Sequence, residues 1–255
     1  MALFSGEGVL FLLRWIHFLA GITWIGILYY FNFVQTPFFG SKYVADTPAV
    51  RTGIITGGLL NTALWWFRWG AMFTFLSGWL MILHKMGSFG VDGFFNTSYG
   101  WAIFFGGMLG SVMWFNVWFV IWPGQQVVMA SAAQVAGGGQ AIPEAAARGA
   151  RAGVASRTNT VLSIPMLFFM GAASNLTMFA TADRGPRGAK LIALVLLVIV
   201  ILAVEINALA GPATPDKASG CKKFLTVGPK SLANTFCAGF ILSAILYVGL
   251  ELLFP

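Results

Sequence analysis

Charge is what this 255-residue chain has least of: only 9% of its residues are Asp, Glu, Lys or Arg, where a soluble domain carries about a quarter. With 58% hydrophobic residues and a mean hydropathy of +0.81, so little charge excludes an ordinary water-soluble fold. Histidine is nearly absent too, at two residues, and so is cysteine, at two. Cys221 lies in a lysine-rich loop and Cys237 in an apolar run, so a disulfide would have to reach from a loop into the bilayer. Two histidines with no carboxylate or cysteine near them in sequence make no metal site. No GxGxxG or P-loop pattern follows a strand, which leaves nucleotide binding without support. The pI near 9.7 does not indicate nucleic acid, because the bases are spread over loops and form no stripe.

What is present is apolar sequence in membrane-length runs. Crossing a hydrocarbon core of about 30 Å takes roughly 20 residues, and six runs meet that length: Val9 to Phe33, Ala63 to Leu83, Trp101 to Ile121, Val161 to Thr181, Leu191 to Leu209 and Ser231 to Leu253. The expected fold is all-α: a single polytopic membrane domain over residues 1–255. Residues 123–157 then form a Gly-rich cytoplasmic loop, with a short helix beginning near Pro143. A secretory signal has an apolar core of about 7–15 residues. The first run here is longer and is read as retained.

Basic residues orient the bundle. The loops after the first, third and fifth runs hold Lys42, Arg51, Arg148, Arg151, Arg157, Lys217, Lys222, Lys223 and Lys230, and the others hold Lys85, Arg184, Arg187 and Lys190. Nine against four places both termini outside, which is periplasmic in a bacterial inner membrane. The loop from Asp183 to Lys190 argues partly against it.

Ionisable groups inside a span are costly and mark function or pairing. Arg14 and Glu251 lie at similar outer depths, and Arg68 and Glu205 near the other ends of their runs. Two structural ion pairs are the expectation. His17 and His84 both fall in the outer half of their spans, with Gly21 one turn beyond His17. As haem axial ligands they would use facing helices with small residues beside the ring. By helix rise, though, His84 is about 6–10 Å shallower. The alternative is a His17 hydrogen-bonded to a neighbouring helix and a solvated His84. GGMLG at Gly106 to Gly110 and GAAS at Gly171 to Ser174 allow close helix approach, within the chain more than between chains.

The stretches RWIHFLAGITWIG, WWFRWGAMFTFLSGWLMIL, FNVWFVIWPGQQVVMA and ASRTNTVLSIPMLFFMGAASNLTMFAT, over most of residues 12 to 207, resemble the urate oxidase N-terminal family. That family includes the membrane domain of bacterial membrane-bound urate dehydrogenases. The resemblance implies an inner-membrane helical protein of electron-transfer ancestry, to which a cytochrome c domain is attached in other members. No C-x-x-C-H occurs here, so this chain is expected to lack the cytochrome. Of the histidines the family pattern implies, His17 is matched, while Phe104, Thr158 or Asn159, Leu176 and Val204 stand at the other positions, and Gly70 stands where a glutamate would follow W-F-K-W.

The expected function is therefore a non-catalytic scaffold or accessory subunit, bedded in lipid and packed against other membrane subunits or copies of itself. The alternative is a haem b-binding electron-transfer protein, or a urate dehydrogenase-like oxidoreductase using His17.

Overall fold

The computed structural model describes residues 4–176 and 187–253, and these are helical with no strand among them. The fourth expected span therefore runs past the described residues beyond 176, as does most of the Asp183 to Lys190 loop. The chain begins with α1, Gly6–Phe39, started by Ser5, whose hydroxyl accepts from the Gly8 N–H at 3.2 Å, and by Glu7 in its first turn. An oxygen cap and an acidic first turn both satisfy the free N–H end of a helix. Two short helices, α2 (Lys42–Asp46) and α3 (Pro48–Thr56), lead into α4 (Leu59–Phe95), which is kinked at Gly90, φ 74°. Then come α5 (Ser98–Ala136), α6 (Ala145–Asn175), α7 (Arg187–Leu209), the short α8 (Gly220–Thr226) and α9 (Ser231–Leu253).

Four of these helices, α1, α5, α7 and α9, are long and apolar enough to cross a membrane. The chain is a helical membrane protein. The other two expected spans correspond to α4 and α6, which are long but more polar. Arg68, Lys85 and Asp92 interrupt α4, and three arginines and the run SRTNT interrupt α6.

Helix α6 departs most from the sequence expectation. The short helix near Pro143 and the fourth span are one continuous helix of 31 residues. The PGQQVVMA stretch is likewise the last part of α5 and no loop. Gln125, Gln126, Met129 and Ala130 are good helix formers, and Pro123 is accommodated inside the helix by the wide turn before it. The Gly-rich connection shrinks to residues 137–144.

Helix α6 is also the axis of the bundle, packed by α1, α5, α7, α8 and α9, while α4 lies mainly along α1. Seven consecutive residues, Arg157–Ser163, are all buried. A helix buried on every side is expected to be apolar all round; this one is polar where it is most enclosed.

Glycines make that enclosure possible. A Cβ on Gly239 of α9 would lie 2.4 Å from Ile164 Cδ1 and 3.0 Å from the Val161 carbonyl, and one on Gly124 of α5 would lie 2.9 Å from the Arg148 carbonyl. At Gly106 it would meet Met170 Cε at 2.8 Å, so the GGMLG pattern serves packing inside the chain. A Cβ on Gly70 would lie 3.1 Å from the Trp24 backbone nitrogen, so its absence lets α4 and α1 meet closely. Cys221 and Cys237 are both free.

Two π-helical turns break the regularity, Tyr30–Gln35 in α1 and Asn116–Ile121 in α5. Each is followed, one residue later, by a proline: Pro37 and Pro123. A proline ring clashes with the carbonyl four residues back and donates no hydrogen bond. Widening the preceding turn relieves that clash, and the Thr36 and Trp122 N–H groups reach five residues back, to Phe31 and Val117. The same widening carries Asn32 and Asn116 onto the buried side facing α6.

Candidate functional site

The polar groups of the interior converge on α6 from three other helices. Asn116 of the α5 π-turn donates through Nδ2 to Asn159 Oδ1 at 3.0 Å and to Glu205 Oε1 of α7 at 2.8 Å. Asn159 in turn donates to the Met113 carbonyl at 2.9 Å. On the α1 side, Asn32 donates to Ser156 Oγ at 2.8 Å and to the Leu28 carbonyl at 2.9 Å, and the Tyr29 hydroxyl meets Ser163 Oγ at 2.9 Å. Asn116 and Asn159 are 0% exposed.

Several buried atoms in this cluster have no hydrogen-bond partner: Arg157 Nη1, Thr158 Oγ1, Asn116 Oδ1 and Glu205 Oε2. Buried polar atoms in a folded protein are nearly always partnered, and those left over mark places where a further molecule fits. Arg157 is only 6% exposed, and no carboxylate pairs with it among the described residues.

Arg157 forms part of the wall of a cavity of about 250 Å³ at the end of the bundle where α1 leaves the core and α4 begins. Asn32, Gln35, Gln125 and Ser156 give it a neutral polar side, and Phe31, Leu64 and Ile121 an apolar one. Two further cations, Arg151 and Lys222, secure the neighbouring end of α7. Arg151 donates to the Ala208 carbonyl at 2.7 Å and to Gly211, and Lys222 to the Ala210 carbonyl. These supply donors to carbonyls that a helix C-terminus leaves free. Burial, and then the nearby Arg151 guanidinium, hold the Lys222 ammonium below the ordinary lysine value.

The histidines lie elsewhere. His17 Nδ1 is 3.2 Å from Ser77 Oγ, and the ring packs against Gly78 of α4. Because the Ser77 hydroxyl gives its proton to the Phe73 carbonyl at 2.6 Å, His17 donates through Nδ1 and keeps its lone pair on Nε2. His84 sits beside Gly6 at the start of α1. Seven residues along α4 separate it from Ser77, about 10 Å of helix rise. The two imidazoles thus flank different levels of the α1–α4 contact and do not fit the opposite faces of one haem. Gly21 faces Thr74. Among the described residues no three His, Cys, Asp or Glu side chains gather as a metal site.

Nor do the expected ion pairs meet. Arg68 stacks over Trp122 at 3.9 Å and Trp118 at 4.9 Å, because α5 presents these rings one turn apart beside it and an aromatic face attracts a guanidinium. Glu205 takes its hydrogen bond from Asn116, a neutral donor. Glu251 interacts with the Tyr247 hydroxyl one turn before it, and the exposed Arg14 lies near Tyr99. Similar depth in two spans did not bring either pair onto facing sides.

The run SRTNT at 156–160 straddles the end of the expected loop 123–157 and carries no site in the sequence reading beyond the family position at Thr158 or Asn159. Its signal is in the sequence: four polar side chains around an arginine, immediately before an apolar stretch. Thr158 and Asn159, at a position where the family resemblance implies histidine, are both in that run.

No curated protein and no solved structure matches the chain. A family model, urate oxidase N-terminal, matches residues 87–208. That stretch includes PGQQVV, TVLSIPMLFFM and the partners Asn116, Asn159 and Glu205, while RWIHFLAGITWIG and WWFRW lie before it. On these residues, from the end of α4 to the end of α7, the chain is similar to the urate oxidase N-terminal family.

Proposed function

We propose that this membrane protein is a ligand-binding subunit whose working centre is the polar interior around α6. The observation that carries the reading is the buried run Arg157–Ser163, with unpartnered polar atoms on α5, α6 and α7, beside a cavity large enough for a small molecule. A scaffold that only packs against partners needs its surface and gains nothing from an unpaired arginine in its core, which costs several kcal/mol to bury. The subunit sits in a bacterial inner membrane with both termini periplasmic, so the cavity end faces the cytoplasm. The bases gathered at that end outside the core, Lys42, Arg51, Arg148, Arg151, Lys217, Lys222, Lys223 and Lys230, support this orientation.

Blocking the cavity tests the reading. Gly153 is on its wall, and an added Cβ there meets nothing within 4 Å, so Gly153→Phe adds a ring at the wall while keeping the Arg157 guanidinium in the chain. Small polar solutes should raise the melting temperature of the detergent-solubilised protein and fail to do so in Gly153→Phe. Equal responses in the two proteins would reject an internal binding site.

A second reading, haem b binding, rests on His17 alone, whose other ring nitrogen Nδ1 is held by Ser77. It requires a Soret band in the purified protein that disappears in His17→Ala.

A further inference from the structure

We propose that the cavity beside Arg157 binds a small organic carboxylate with a compact apolar body. This deepens the binding reading above and rests on it. The charge argument comes first. Arg157 is more than nine-tenths buried, contributes to the cavity wall and has no carboxylate partner among the described residues. Asp and Glu are likewise missing from that wall, whose other polar groups are amides and hydroxyls. An uncompensated guanidinium in a low-dielectric interior attracts an anion strongly, and its planar fork matches a carboxylate.

Size separates the organic anion from an inorganic one. A water takes up about 30 Å³ of liquid, so a cavity of about 250 Å³ has room for roughly eight waters, far more than chloride fills. The wall then selects the shape. Phe31, Leu64 and Ile121 are apolar and form part of the lining together with Arg157, and filling that side with hydrocarbon adds about 25 cal/mol for each Å² removed from water. The ligand is a carboxylate at one end and apolar at the other. Entry is from the open end of the bundle, where the α7–α8 connection contributes Ala213 and Pro215.

The test uses the full-length protein in detergent, with thermal unfolding followed by tryptophan fluorescence in a bulky sulfonate buffer. Acetate, chloride, acetamide, benzoate and benzamide are added in turn at matched ionic strength. The proposal expects acetate to raise the melting temperature and benzoate to do so at least tenfold lower concentration. Acetamide, benzamide and chloride should have little effect. Arg157→Gln should abolish the acetate and benzoate shifts, and Gly153→Phe should do the same with Arg157 intact, which covers a misfolded Arg157 variant. Equal shifts from amide and carboxylate, both lost in Gly153→Phe, would overturn the carboxylate and leave the binding cavity standing. A chloride effect as large as that of benzoate would assign the site to inorganic anions. No solute effect that Gly153→Phe removes would reject both the carboxylate and the cavity as a site.

Discussion

Replacing Asn116 with leucine should destabilise the bundle, and the hydrogen bonds around it set the size of the effect. Asn116 donates to Glu205 at 2.8 Å and to Asn159 at 3.0 Å. The first bond, to a carboxyl group, is worth about 1.5–3 kcal/mol, and a side-chain bond inside a membrane bundle averages about 0.6 kcal/mol. Since Glu205 Oε2 already has no partner, Asn116→Leu leaves the whole carboxyl group unsatisfied, at a total cost of about 2–3.5 kcal/mol. Leucine is close to asparagine in size, so little of this is cavity formation. The rescue is specific. In Asn116→Leu with Glu205→Met the stranded carboxyl is gone, and the double variant should be more stable than Asn116→Leu alone, because an apolar pair of the same shape does not pay for desolvation. Reversible unfolding in mixed detergent, or steric trapping in bicelles, measures the four corners of this cycle. An Asn116→Leu cost under about 0.5 kcal/mol, or a double variant no better than the single one, would refute the network.

Other variants probe separate parts of the account. Gly239→Val should cost about 1–3 kcal/mol by overpacking, since even its Cβ meets the Val161 carbonyl at 3.0 Å, whereas Gly171→Ala, with open space around it, should stay within about 0.5 kcal/mol; chemical unfolding compares the two. Arg151→Ala together with Lys222→Met should free the carbonyls at the end of α7, and hydrogen exchange over residues 206–215 should rise before the rest of the bundle responds. Arg68→Met should remove a cation–π contact worth about 0.5–2 kcal/mol and change the tryptophan emission of Trp118 and Trp122, while a partner to Glu205 would instead have shown itself by coupling with Glu205→Gln.

The fold class was legible because hydropathy over 20-residue runs depends only on composition, and lipid imposes helices on such runs. The Gly106 packing role could be read from spacing for the same local reason. The site was not legible. Asn116, Asn159 and Glu205 are 43 and 46 residues apart in sequence, and what joins them is the rotation that the π-turn of α5 imparts to Asn116. The two π-turns do leave a trace, an asparagine five or seven residues before a proline in an apolar helix. Depth alone, which suggested Arg68 with Glu205 and Arg14 with Glu251, says nothing about which side of a helix a residue occupies. Helices α5 and α6 both extend into the expected loop; the arginines of α6 resemble a loop because what stabilises a polar helix here is its place at the centre of other helices, and that position is tertiary information.

The most direct measurement is a high-resolution electron-microscopy map of the protein in lipid nanodiscs, inspected at Arg157. The account predicts non-protein density in the cavity within hydrogen-bonding distance of the guanidinium, absent in Gly153→Phe. A guanidinium paired with a carboxylate of the chain itself, in a cavity closed by side chains, would contradict it.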